Sequence, residues 1–157
     1  INGLDVNAQL HLVLPMDFYL TAKAQYTYQT AIDVTDPNDT YYGDQIPYIP
    51  WHSGSAVGMF GWQNDWQQYG LNYSFIYVGE RYNQQENIIY NYTQPWYTHD
   101  LSVFGEWEIQ NSKFKIQNCI TLRLALDVNN LLSQDYDVII NYPMPKRNYK
   151  CTISITY

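Results

Sequence analysis

Three histidines, His11, His52 and His99, are the side chains best suited to hold a transition metal or to move a proton near neutral pH. They are scattered, with no HxH or HxxxH spacing, so no metal site is expected. Glu106 and Glu108 are paired carboxylates, a pattern that also serves acid–base catalysis. Two residues apart on an extended chain they share one face, where a bracing role beside Arg123 or Lys115 suits them better. Arg123 and Asp127 share a face in the same way. No Ser/His/Asp constellation can be assembled, so no catalytic residue, no cofactor and no enzyme are expected. What remains is binding chemistry. Trp51, His52, Arg81, Tyr82, Trp96 and Tyr97 are the expected ligand-binding residues. Their rings offer stacking and phenolic hydrogen bonds to a flat, conjugated or macrocyclic ligand. Arg81, the one cation in its stretch, suits an anionic group on that ligand.

The elements that must position these groups read as strands, because apolar and polar residues alternate with a period of two. Leu4, Val6, Ala8, Leu10 and Leu12 make a first stripe, and Phe18, Leu20, Ala22, Ala24, Tyr26 and Tyr28 a second. A third strand, from about His52 to Trp62, is diluted by Gly54, Gly58 and Gly61. Either Val57 and Met59 or Ala56, Phe60 and Trp62 face outward there. Tyr69 to Tyr77, Leu101 to Ile109, Ile116 to Val128 and Tyr149 to Tyr157 supply the remaining stripes. Asn129 and Asn130 end the sixth strand, as residues tolerant of left-handed backbone do. Short turns at Pro15, Asn64 and Asn111 follow the first, third and fifth strands. Long segments follow the second (Asp33 to Trp51), the fourth (Gly79 to Tyr97) and the sixth, a polar, Pro-containing connection. The fold class is therefore all-β, an antiparallel up-and-down meander of about seven strands.

The outward stripes carry no Lys, Arg, Asp or Glu. Aromatics gather near strand ends (Tyr26, Tyr28, Trp62, Tyr69, Tyr77, Trp107, Tyr149, Tyr157), where girdles at two membrane interfaces would lie. The absence of a long apolar run excludes a transmembrane helix and says nothing against a barrel, in which only alternate residues face lipid. A soluble ligand-binding β-barrel or β-sandwich, which can also alternate, is the competing reading. A formal charge of −7 without clustered Lys or Arg excludes a nucleic-acid partner. Cys119 falls on the polar parity and Cys151 on the apolar one, so no disulfide is expected. The chain begins at Ile1, as a processed product or a fragment does.

Three runs carry a family resemblance. LDVNNLLSQDY from Leu126 to Tyr136, followed by Tyr142 to Pro145 and Arg147 to Tyr149, resembles the closing segment of TonB-dependent outer-membrane receptors, which also ends on an aromatic. IPYIPWHSG from Ile46 to Gly54 is similar to their re-entry from an extracellular loop into a strand. YVGERY from Tyr77 to Tyr82 is similar to a strand-top motif. Lys146 departs from the pattern, where glycine is usual. The resemblance implies a transmembrane β-barrel of about 22 strands around a plug, in the bacterial outer membrane, importing a bulky nutrient chelate such as cobalamin or a ferric siderophore. Residues 1–157 would be the C-terminal section of that barrel. Its implied partners are the remaining strands and plug of the same receptor, outer-membrane lipid, the TonB system acting through the plug, and the small chelate ligand.

Overall fold

The computed structural model of the chain describes residues 1–110 and 119–157. The turn expected at Asn111 and Ser112, the strand residues expected from Lys113 to Gln117, and any pairing of Lys115 lie outside the described residues.

Alternation produces what it predicts. β1 (Asn2–Val13), β2 (Phe18–Thr30), β3 (His52–Gln63) and β4 (Gln67–Val78) come first. A short pair follows, β5 (Arg81–Tyr82) and β6 (Tyr92–Thr93), with one turn of 3-10 helix at Ile89–Asn91 between them. β7 (Trp96–Gln110) and β8 (Cys119–Asn129) precede a second short pair, β9 (Asp137–Ile139) and β10 (Tyr142–Pro143), and then β11 (Asn148–Thr156). The long strands form one seven-stranded antiparallel sheet in the order β1-β2-β3-β4-β7-β8-β11, a meander in which neighbours in sequence are neighbours in space.

Residues directly opposite one another share a face, so the register assigns both faces across the sheet. One row runs Ala22, Gly58, Tyr73, Leu101, Val128 and Tyr149. The next runs Lys23, Val57, Ser74, Asp100. This decides the third strand: Ala56, Phe60 and Trp62 take the apolar face, and Val57 and Met59 the polar one. In the described strands the apolar face carries no Lys, Arg, Asp or Glu, whereas Asp5, Lys23, Asp100, Glu106, Glu108, Arg123, Asp127 and Lys150 all fall on the other.

Two turns close one end of the sheet. Met16 and Asp17 take positive φ (61° and 64°) while Leu14 N–H donates to the Phe18 carbonyl at 2.8 Å. The Asn64 carboxamide oxygen accepts from the N–H of Trp66 at 2.9 Å and of Gln67 at 2.7 Å, the side-chain turn that suits Asn here. At the other end β7 begins at Trp96, earlier than the stripe from Leu101 suggests. β4 continues to Val78, so Trp96 and Tyr97 find ladder partners in Val78 and Tyr77 and join the strand instead of the loop.

The sheet is a single layer. Among the described residues the only buried hydrophobics are Ala31 and Phe104, while Leu126, Ile153 and Ile155 are 62%, 66% and 67% exposed. A soluble sandwich would cover such a face with a second sheet about 10 Å away. The other two sheets are two-stranded ribbons within the loops, so the sandwich reading does not hold.

Candidate ligand site at the loop end of the sheet

The three long connections leave the same end of the sheet, and polar contacts tie them to one another. In the first, buried Gln45 accepts from Ala31 N–H at 3.0 Å and donates to the Ile49 carbonyl at 3.2 Å, folding residues 31–51 onto themselves. Tyr48 N–H donates to the Tyr82 carbonyl at 2.7 Å, and Asn87 N–H to the Asp44 carboxylate at 3.2 Å, joining first loop to second. Tyr82 stands edge-on to Trp51 (5.7 Å) and to Tyr92 (6.3 Å). The Tyr92 hydroxyl donates to the Glu80 carboxylate at 2.9 Å, and that bond holds its pKa above the usual phenol value.

The third connection is anchored by Asn130, buried at φ 50°. Its N–H donates to Asp100 at 2.7 Å, and its side chain bonds the main chain of Gln134 in both directions at 2.8 Å. The Tyr136 ring stacks on Trp96 at 4.5 Å, and burial raises the Tyr136 pKa, helped by nearby Asp100. Arg81 joins the second loop to the third: one terminal nitrogen, Nη2, donates to the carbonyls of Asp137 and Val138, each at 3.0 Å.

These ties frame two clefts. One, of about 380 Å³, is lined by Tyr48, Val78, Arg81, Trp96, Val138 and Ile139. The other, of about 390 Å³, lies on the far side of Trp96, against Thr93 and Tyr136. A larger hollow of about 760 Å³ lies on the polar face at the turn end, between His11, Tyr19, Gln68 and Glu106. It is lined by strand residues and by the turns at Asp17 and Asn64, at the opposite end of the sheet from the long loops. Arg81 is 3% exposed. Burial lowers its pKa, opposed by Tyr48, yet a guanidinium stays charged at physiological pH. Its second terminal nitrogen, Nη1, the Trp96 indole nitrogen and the Thr93 hydroxyl are buried without a hydrogen-bond partner.

The family described as TonB dependent receptor-like, beta-barrel, matches residues 1–131. The chain belongs to the TonB-dependent receptor barrels. No curated protein matches the chain. The family is one of outer-membrane receptors and transporters, not a class of enzymes, and its setting gives the two faces their meaning. The uncharged face of this receptor wall is the lipid side, and the face of Asp100 and Arg123 is the lumen. Arg123 meets Glu106 there at 3.3 Å, the bracing pair read from the sequence, with its guanidinium 4.4 Å over the Phe104 ring.

The six sequence-derived site residues divide between those faces. Arg81 and Trp96 line one cleft together. Trp51 and Tyr82 form an aromatic corner beside it, joined through the Tyr48–Tyr82 backbone bond. His52 and Tyr97 are placed differently, on the lipid side of the receptor wall. His52 lies opposite Tyr28, its Nδ1 2.6 Å from the Tyr26 hydroxyl. Tyr97 lies opposite Tyr77, edge-on to His99 at 5.5 Å. The cause is alternation: once β7 starts at Trp96, consecutive Trp96 and Tyr97 must point to opposite faces. His99 likewise sits on the lipid side, 2.6 Å from the Tyr73 hydroxyl. These residues make an upper aromatic girdle; Phe18, Phe60, Trp62, Tyr69 and Trp107 make the lower one. Sequence reasoning does not find Val78, Val138 and Ile139 as cleft residues. The apolar run Val138 to Ile140 inside a polar connection was the available signal.

Proposed function

We propose that the chain is the C-terminal section of the barrel wall of a TonB-dependent transporter in the bacterial outer membrane, importing a bulky nutrient chelate such as cobalamin or a ferric siderophore. The observation that carries this reading is the sheet itself. Among the described residues one face is free of charge on each of the seven strands, and the three long loops gather at one end around clefts with aromatic and apolar walls. A wall of this kind has lipid outside and, inside, the plug and remaining strands of the same receptor. Energy from the TonB system reaches it through the plug. Loops held by a rigid scaffold are where binding residues concentrate, so the ligand is met by Trp51, Arg81, Tyr82 and Trp96. His52 and Tyr97 support them from the outer girdle.

The test is uptake by the complete receptor. Trp51→Ala, Arg81→Ala and Trp96→Ala should each weaken import of the transported chelate while the amount of folded barrel in the membrane is unchanged. If all three variants import cobalamin and ferric siderophores at wild-type rates, the loops cover the barrel and do not contact its ligand.

A further inference from the structure

One arrangement occurs twice on the lipid side of the wall. In the β2–β3 seam the Tyr26 hydroxyl lies 2.6 Å from His52 Nδ1, and in the β4–β7 seam the Tyr73 hydroxyl lies 2.6 Å from His99 Nδ1. The register is the same in both. Tyr26 stands opposite Gly54 and Tyr73 opposite Leu101, and each histidine is two residues nearer the loop end than that partner. Aromatic rings flank each imidazole: Tyr28 lies 5.1 Å from His52, and Phe75 and Tyr97 lie 5.0 and 5.5 Å from His99. An ionisable side chain on a face that lipid covers is rare and tends to mark function. Among the described residues of the seven-stranded sheet, every Lys and Arg, and His11 with them, falls on the lumen face. The two imidazoles are therefore the only groups on its lipid face able to carry positive charge. Neither phenol has another acceptor among the described residues, so its O–H donates to Nδ1, and that bond places the ring proton on Nε2. Nε2 itself has no partner among the described residues on either ring. Unlike the unpartnered polar atoms of Arg81, Thr93 and Trp96, these nitrogens are not sealed: His52 is exposed, and half-buried His99 keeps Nε2 open to the surface.

We propose that His52 and His99 bind phosphate groups of outer-leaflet lipid, each Nε2–H donating to a phosphate oxygen. Tyr26 and Tyr73 are positioning residues that hold each ring in the tautomer able to donate. This site rests on the outer-membrane reading given above and goes beyond it, since it lies on the outside of the wall and takes no part in import. Both histidines sit among the upper girdle rings, the level at which headgroups meet the hydrocarbon. Lipid is the source of the phosphate because both nitrogens lie on the face that lipid covers. The repeat of one Tyr–His geometry in two separate seams gives the wall two such contacts.

The experiment offers the purified complete receptor, in detergent, lipid A or the same glycolipid stripped of its phosphates, and counts retained lipid by native mass spectrometry. The expected result is that the phosphorylated form binds about tenfold or more tightly, as charge-assisted hydrogen bonds allow. Replacing both histidines, His52→Phe with His99→Phe, keeps a ring at each place and removes the nitrogens; it should abolish the preference. Tyr26→Phe with Tyr73→Phe leaves the histidines but frees their tautomers; it should reduce the preference severalfold. Inorganic phosphate should not displace the lipid, and displacement would assign the site to a free anion instead. Equal retention of the two lipids by the unaltered receptor, or a preference that survives loss of both histidines, overturns the site. The first of these comparisons needs no variant to fold. Uptake measured alongside separates the two ideas. A receptor that imports its chelate but does not prefer the phosphorylated lipid loses only this site, and one that prefers it but imports nothing loses only the import reading.

Discussion

Gly61 and Gly70 lie side by side in the wall because two rings occupy the space their side chains would need. The row across the lumen face is Tyr19, Gly61, Gly70, Phe104, one residue per strand. A Cβ on Gly61 would fall 2.4 Å from the Tyr19 ring, and one on Gly70 2.4 Å from the Phe104 ring. The Tyr19 hydroxyl accepts from the Gln68 side chain at 2.7 Å, and Phe104 is 4% exposed beneath Arg123. Gly70→Ala should therefore destabilise the folded barrel by about 1–3 kcal/mol, the usual range for overpacking, measured as a shift in urea midpoint. Adding Phe104→Leu should recover most of that loss. An unchanged midpoint in Gly70→Ala would mean the ring does not rest on the wall. In the sequence Gly61 reads only as a dilution of the third stripe and Gly70 carries no signal, because each partner ring comes from a different strand. The face of single residues is more legible. Ile155 lies opposite Leu122 and Ser154 opposite Arg123. Ile155→Arg should impair assembly in an outer-membrane folding assay, by up to ~2–4 kcal/mol depending on depth, while Ser154→Arg is tolerated.

At the scale of elements, strand existence was legible and loop architecture was not. Alternation specifies a strand locally, so β1, β2, β4 and β11 fall where their stripes lie. The lid is built from contacts between loops that share no periodicity. Arg81 reaches residues in the third connection, and Tyr48 a carbonyl in the second. Hence the sequence offered Arg81 and Trp96 as ligand contacts but could not show that Arg81 also straps a loop. That second duty is testable. Arg81→Ala should make residues 131–147 more susceptible to limited proteolysis in the folded receptor, since two charge-assisted bonds of about 1.5–3 kcal/mol each hold them. Unaltered cleavage kinetics would show that the loop's other ties, at Asn130, Tyr136 and Arg147 among them, hold it without Arg81. Register also bears on the cysteines. Cys151 pairs with Leu126, seven positions along β8 from Cys119, a separation of roughly 23 Å. Both thiols should titrate as free in intact, non-reduced protein, and a mass deficit of two hydrogens would contradict the register.

For the whole molecule, the wall is a single uninterrupted lattice. In the seven-stranded sheet every pairing runs residue for residue, with no bulge across its six seams in the described strands. Its meander order and the sidedness of its loops were readable from parity and loop length, because each hairpin is local. The depth at which β7 begins was not, because it depends on how far β4 extends. The unbroken lattice has a consequence for how such a gene can change. Removing one codon within β8 turns half of that strand over, carrying either Arg123 or Asp127 toward lipid, since a slip of one residue exchanges the two faces. Removing two codons restores the faces and only shortens the strand. Viable length variants within the wall should therefore arise in steps of two, whereas single-residue steps should be tolerated in residues 34–41, which lie outside the strands and before the Asp44 and Tyr48 ties to the second loop. A deletion library selected for assembly would display that even-numbered rhythm directly.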